Sequence, residues 1–134
     1  PLMVRILQTS YAVWQSLKFV VLQPQSDAGA LRRYLYEHGW HIEDERLVID
    51  DGRLYELMRA VPGQAGALPD WIYDIGPVNW QRRDPLLSRK IDILMETKGH
   101  ILEGLKKSRK DVHERMEKIE SELRFWRELK WQLQ

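Results

Sequence analysis

The chain has 134 residues, which fits about one domain with room for an appendage. An apolar fraction of 43% with six Trp is enough for a real core, so disorder is not the default. The formal net charge of +1 argues against a globally basic nucleic-acid binder while leaving room for a local basic patch, and the absence of Cys excludes a disulfide scaffold, a thiolate metal site and a Cys nucleophile. No apolar run approaches the roughly 18 to 20 residues that a bilayer-spanning helix needs. No signal peptide is recognisable, so a soluble, cytoplasmic protein is the expectation.

The chain opens at Pro1 without an initiator Met. Leu2, Met3, Ile6, Leu7, Val13, Trp14 and Leu17 recur at helical spacing, and Pro suits a first helical turn. A helix over 2–17 is expected, directly before a strand. Such an opening is unusual for a domain, and coding sequence upstream is expected to be missing, removed or on another segment.

Phe19-Val20-Val21-Leu22 is the β-branched and apolar run of a strand over 18–23, expected to be covered on both faces. Pro24 ends its ladder, and Ser26 or Asp27 can cap a helix over 27–38. Ala30, Leu31, Tyr34, Leu35 and His38 mark that helix, and Gly39 supplies its stop. Trp40–Ile49 and Arg53–Val61 then read as a β-hairpin. Asp51-Gly52 is the two-residue turn, because both central positions need positive φ. In the second arm Leu54, Glu56, Met58 and Ala60 share one face. The charged first arm suits a sheet edge.

Residues 62–84 carry Pro62, Gly63, Gly66, Pro69, Gly76 and Pro77, which break regular elements. Trp71, Tyr73, Ile75, Val78 and Trp80 make the segment too apolar for a loose tether, so an ordered connector is expected. From Asp84-Pro85 onward the period changes to heptads. Leu87, Ile91, Leu94, Ile101 and Leu105 form one seam, interrupted by Lys98. Val112, Met116, Ile119, Leu123, Trp126 and Leu133 form a second, interrupted by Lys130, with Trp131 beside it as a packing residue. Gly104, the like-charged run at 106–110 and the Asp111/Glu114 capping-box pattern favour a turn there, hence two antiparallel helices rather than one long one.

Few residues carry chemistry on their own. There is no G-x-G-x-x-G and no Walker A loop. His38 and His41 straddle an element boundary, so no metal site is assigned. Gln23-Pro24-Gln25 lies where open α/β sheets hold ligands, at the carboxyl end of a strand. Its Gln side chains could read a base edge, or the loop could simply need Pro for its shape. Arg32-Arg33, Arg82-Arg83, Arg89-Lys90 and Lys106–Lys110 are basic clusters that could neutralise phosphates or form solvated surface.

Phe19-Val20-Val21-Leu22-Gln23-Pro24-Gln25 followed by Leu31-Arg32-Arg33-Tyr34-Leu35-Tyr36-Glu37-His38-Gly39-Trp40 resembles the bacterial tRNA (adenine-N1)-methyltransferase family TrmK. So does Glu43–Leu57, with Asp50-Asp51-Gly52-Arg53-Leu54-Tyr55-Glu56 at its centre. Ile75-Gly76-Pro77, Arg83-Asp84-Pro85-Leu86-Leu87 and the terminal heptads match the family's layout. The resemblance implies an α/β fold: a partial class I methyltransferase, Rossmann-like sheet at 1–61, the connector at 62–84, and an α-helical coiled-coil hairpin at 85–134. It also implies the sheet order 18–23, 53–61, 40–49. The cofactor would be S-adenosylmethionine, bound mainly by an upstream half that this chain lacks. Asp74-Ile75-Gly76 is not the cofactor loop, since it follows no apolar strand.

No catalytic residue can be carried over. The resemblance implies tRNA as partner, with Gln23, Pro24 and Gln25 bordering the substrate pocket. Arg32, Arg33, Lys106, Lys107, Arg109 and Lys110 would contact RNA. The exposed edge of strand 18–23 would pair with the missing N-terminal half or with another copy. Two other readings stay open: a non-catalytic RNA-binding fragment, or a coiled-coil interaction protein on an α/β platform.

Overall fold

A computed structural model describes residues 2–134. The helical role expected of Pro1 lies outside the described residues. Two compact units divide the chain, one ending at Leu87 and the other running from Ser88 to Gln134.

The first unit begins with α1 (Leu2–Thr9) and α2 (Tyr11–Trp14). The single helix expected over 2–17 is therefore broken at Ser10 and ends sooner. Thr9 contributes to the break, since its hydroxyl donates to the carbonyls of Arg5 and Ile6 at 3.1 Å. β1 (Val20–Leu22) follows, then α3 (Ala28–Glu37). Asp27 caps α3 by accepting from the Ala30 N–H at 3.0 Å, and does so from a left-handed φ of 48°. Asp is among the few side chains that tolerate that conformation.

β2 (Trp40–Asp50) and β3 (Arg53–Pro62) form the hairpin, and Asp51 and Gly52 turn it with φ of 51° and 75°. The sheet order is β1-β3-β2, with both pairings antiparallel. A bulge interrupts the β2–β3 ladder: Ile42 faces Ala60 and Asp44 faces Arg59, leaving Glu43 as the extra residue. The bulge shifts the phase of β2. Trp40 and Ile42 point into the core before it, Glu45 and Leu47 after it.

One face of the sheet packs on the helices. Ile42, Met58 and Ala60 meet Leu31, Leu35, Tyr36 and Trp40, with Leu7 and Trp14 closing the far side. The Trp14 indole donates to the Leu7 carbonyl at 2.7 Å and its ring lies 5.1 Å from that of Trp40. The other face is open. Val21 is 63% exposed, so β1 is not covered on both faces as expected.

The connector is helical rather than irregular, with α4 (Asp70–Ile75) and α5 (Pro77–Gln81). Gly76 separates them at φ 104°, and Pro77 opens α5 with a φ already suited to a helix. Asp84 does not start a helix at Pro85. Its carboxylate accepts from the Leu86 N–H at 2.9 Å, and α6 begins at Leu87.

α6 (Leu87–Lys106) and α7 (His113–Gln132) make up the second unit. Leu102, Ile119 and Leu123 form its core, with Met95, Leu105 and Met116 packed around them. Lys98 meets Glu122 at 2.8 Å and Lys130 pairs with Asp92, so the helices run in opposite directions. The two polar interruptions of the heptads are each matched by an acid from the facing helix. The seam drifts from the expected positions. Leu102 is buried while Ile101 is exposed, and Leu129 is buried beside Lys130. A straight helix rotates by about 20° per heptad, which carries the buried stripe onto neighbouring residues. Trp131 is 75% exposed and is not a packing residue. The expected capping box does not form: Val112 stands at the cap position of α7 with no side-chain cap, and Asp111 accepts from the His113 N–H at 3.2 Å. No helix among the described residues is long and apolar enough to cross a membrane.

Candidate nucleic-acid interface

The loop leaving β1 presents Gln23 and Gln25 to solvent and buries Pro24 between them. It hands the chain to the Asp27 cap, so its two amides stand beside the start of α3. They are free to meet a polar ligand, and Pro24 anchors the loop.

Arg32 and Arg33 part company at the next turns of the chain. Arg32 is 0% exposed and lies inside the first unit. Its Nε donates to Glu45 Oε1 at 3.0 Å, one terminal nitrogen to Glu56 Oε1 at 2.8 Å, and the other to the Tyr73 carbonyl at 2.8 Å. Burial alone would lower its pKa, but the facing carboxylates of Glu45 and Glu56 outweigh that and raise it. A phosphate cannot reach this guanidinium, so the expected RNA contact at Arg32 is corrected to a structural role. Arg33 stays at the surface, bound to Asp70 at 2.8 Å and lying over the Tyr73 ring at 4.6 Å. The hydrogen bond to Asp70 raises its pKa.

Glu45 joins several elements. Its second oxygen accepts from the Val78 and Asn79 N–H groups at 2.8 and 3.2 Å, at the start of α5. The backbone beside it is gripped by Arg82, which donates to the Glu45 carbonyl at 2.6 Å and to Asp44 at 3.1 Å. Arg83 lies over the Trp80 ring at 3.7 Å, and Trp71 meets Trp80 edge-on at 5.1 Å. Between β2 and the segment after α5 lies an open hollow of about 540 Å³, lined by Arg46, Leu47, Arg82, Asp84, Pro85 and Leu86.

In the second unit the run from Lys106 to Lys110 forms the break between α6 and α7. Lys106 pairs with Glu103 at 3.3 Å, and Lys107, Arg109 and Lys110 are exposed. His38 and His41 go separate ways. The His38 ring stacks on Tyr34 and contacts its carbonyl at 2.7 Å, and His41 contacts the Gly63 carbonyl at 3.0 Å. No group of His, Asp and Glu suited to a metal ion occurs among the described residues.

The Arg32 cluster and the Arg46/Arg82 hollow were not legible as sites in the sequence. The one signal was position: Ala28, Arg32 and Leu35 share a helical stripe, and Glu56 shares a strand face with Met58 and Ala60.

The family model for tRNA (adenine(22)-N(1))-methyltransferase, TrmK, matches residues 1–128. The chain belongs to the TrmK family. Solved structures share its fold. Sp1610 of Streptococcus pneumoniae, solved with S-adenosyl-L-methionine, is 22% identical with a TM-score of 0.76, over 95% of this chain and 54% of that one. The B. subtilis tRNA methyltransferase TrmK is 18% identical with a TM-score of 0.76, over 95% and 57%. The M. capricolum TrmK, solved with S-adenosyl-homocysteine, is 13% identical with a TM-score of 0.68, over 96% and 56%. The chain thus spans little more than half the length of these structures. No curated protein sequence matches it.

Proposed function

We propose that this chain is the C-terminal portion of an S-adenosylmethionine-dependent tRNA (adenine-N1)-methyltransferase, contributing tRNA binding and part of the substrate pocket. The match to the TrmK family over residues 1–128 carries the reading. Residues 1–61 form part of the methyltransferase domain, 62–84 the connector, and 85–134 a coiled-coil hairpin. Gln23, Pro24 and Gln25 border the pocket for the adenine. Arg33, Lys106, Lys107, Arg109 and Lys110 contact tRNA phosphates, with the lysine-rich turn at the tip of the hairpin. A tRNA substrate places the protein in the cytoplasm.

The cofactor's cradle lies outside these residues. In this chain Asp-Ile-Gly occurs at 74–76, and the space over Gly76 is filled by Glu45 and by the Asn79 amide, 2.7 Å from where a Cβ would stand. That site does not fit S-adenosylmethionine, and no step is derived through the cofactor. The N-terminal half of the enzyme, or another copy, pairs with the outer edge of β1.

Calorimetry of the chain alone with S-adenosylmethionine tests this map, followed by a methyl-transfer assay on tRNA with the upstream half of a TrmK-family enzyme added. No heat from the chain alone and methylation only in the mixture are expected. Micromolar binding by the chain alone would place the cofactor site near Gln23 and overturn the map. Binding of tRNA with no methylation in any mixture would make the chain a non-catalytic RNA-binding module.

A further inference from the structure

We propose that the hollow between β2 and the segment after α5 is a second RNA contact, in which Arg46 and Arg82 hold one phosphodiester of the bound strand. The inference rests on the tRNA-binding reading above and adds a site in the first unit. Arg82 is fixed before any ligand arrives, by Asp44 at 3.1 Å and by the Glu45 carbonyl at 2.6 Å. Those two bonds use two of its five N–H donors, and the rest remain for an anion. Arg46 lines the same hollow, is exposed, and takes part in no ion pair among the described residues.

The acids nearby are already committed. Asp44 holds Arg82 and accepts from the Glu45 N–H at 2.9 Å. Asp84 accepts from the N–H groups of Leu47 at 3.4 Å and Leu86 at 2.9 Å. The volume of about 540 Å³ takes a phosphate with its sugar. Because the hollow is open, a continuous strand can enter and leave it. Two guanidiniums, one held in place and one exposed, suit the geometry of a phosphate oxygen pair.

The test is binding of tRNA to the whole chain by fluorescence anisotropy across about 50 to 200 mM salt. R46E should bind about tenfold more weakly, and the slope of log affinity against log salt should shrink by about one. R46K should keep the slope. R53E, an exposed arginine at the hairpin turn, should match the unaltered chain, and equal melting temperatures should show that each variant is folded. An unchanged slope in R46E, or an equal loss in R53E, overturns the phosphate site and leaves the tRNA reading standing. No binding by the unaltered chain overturns both.

Discussion

Arg32 is a charge enclosed by the fold, and what surrounds it decides what it is worth. A buried ion pair does not by itself make a protein more stable, because desolvation offsets attraction. Removing one partner is different, since it strands the other. Arg32→Met takes the cation from between Glu45 and Glu56 inside the first unit and should lower stability by about 3–5 kcal/mol in chemical denaturation. Arg32→Lys should recover only part of that, because an ammonium cannot reach Glu45, Glu56 and the Tyr73 carbonyl together. A loss under 1 kcal/mol for the Met variant would mean the carboxylates find water when the cation goes. The dipeptide Arg32-Arg33 shows the limit of reading residues by type. Both look like surface cations, and the helical stripe puts one inside. Glu56 was recognisable as inward-facing from its neighbours Met58 and Ala60, but the sequence alone does not pair it with Arg32 across the fold. Tyr36 is legible in the same partial way. It sits on the packed helix, and its phenol, raised in pKa by burial, accepts from the Ile42 N–H at 3.2 Å.

Among the elements, α3 and α4 come close together at Gly29. A Cβ there would collide with the Asp74 carboxylate and stand 3.3 Å from the Asp74 Cα. Alanine favours a helix over glycine by about 1 kcal/mol. Gly29→Ala should nevertheless destabilise by about 1–3 kcal/mol, since the Asp74 carboxylate must swing away from the methyl and the Asp74 backbone behind it must give by a few tenths of an ångström. A raised melting temperature would show that α4 can move aside. The elements that the sequence announces are those fixed by local chemistry. Asp51-Gly52 turns the hairpin, and Asp27 caps α3. The elements it hides depend on partners. The β2 bulge exists to bring Glu45 against α5, and α4 and α5 fold within a stretch whose prolines and glycines read as breaks. Gly104 and the like-charged run at 106–110 point to a turn between two helices, and the Lys98–Glu122 and Lys130–Asp92 pairs show their antiparallel sense, while the drift from Ile101 to Leu102 follows from helix geometry over several turns.

At the scale of the molecule, the first unit has one covered sheet face and one open one. Val21 and Leu57 lie exposed on the open face, and Phe19 stands beside them under the Arg59 guanidinium at 4.2 Å. β1 also has a free ladder edge, because β3 occupies only one of its sides. Apolar surface next to unpaired backbone invites association. In sedimentation velocity the unaltered chain should sediment faster as its concentration rises, and Val21→Lys should weaken that trend. A single monomer peak at every concentration would remove β1 as a contact surface. The same layout has a consequence in time. The hairpin closes across a two-residue turn, but Val20 must wait for Ala60 before it has a ladder. As the chain leaves the ribosome, β1 is made first of the three strands, yet the strand it pairs with, β3, is made last. During that interval both of its sides are open, and whichever strand is nearest can claim it first.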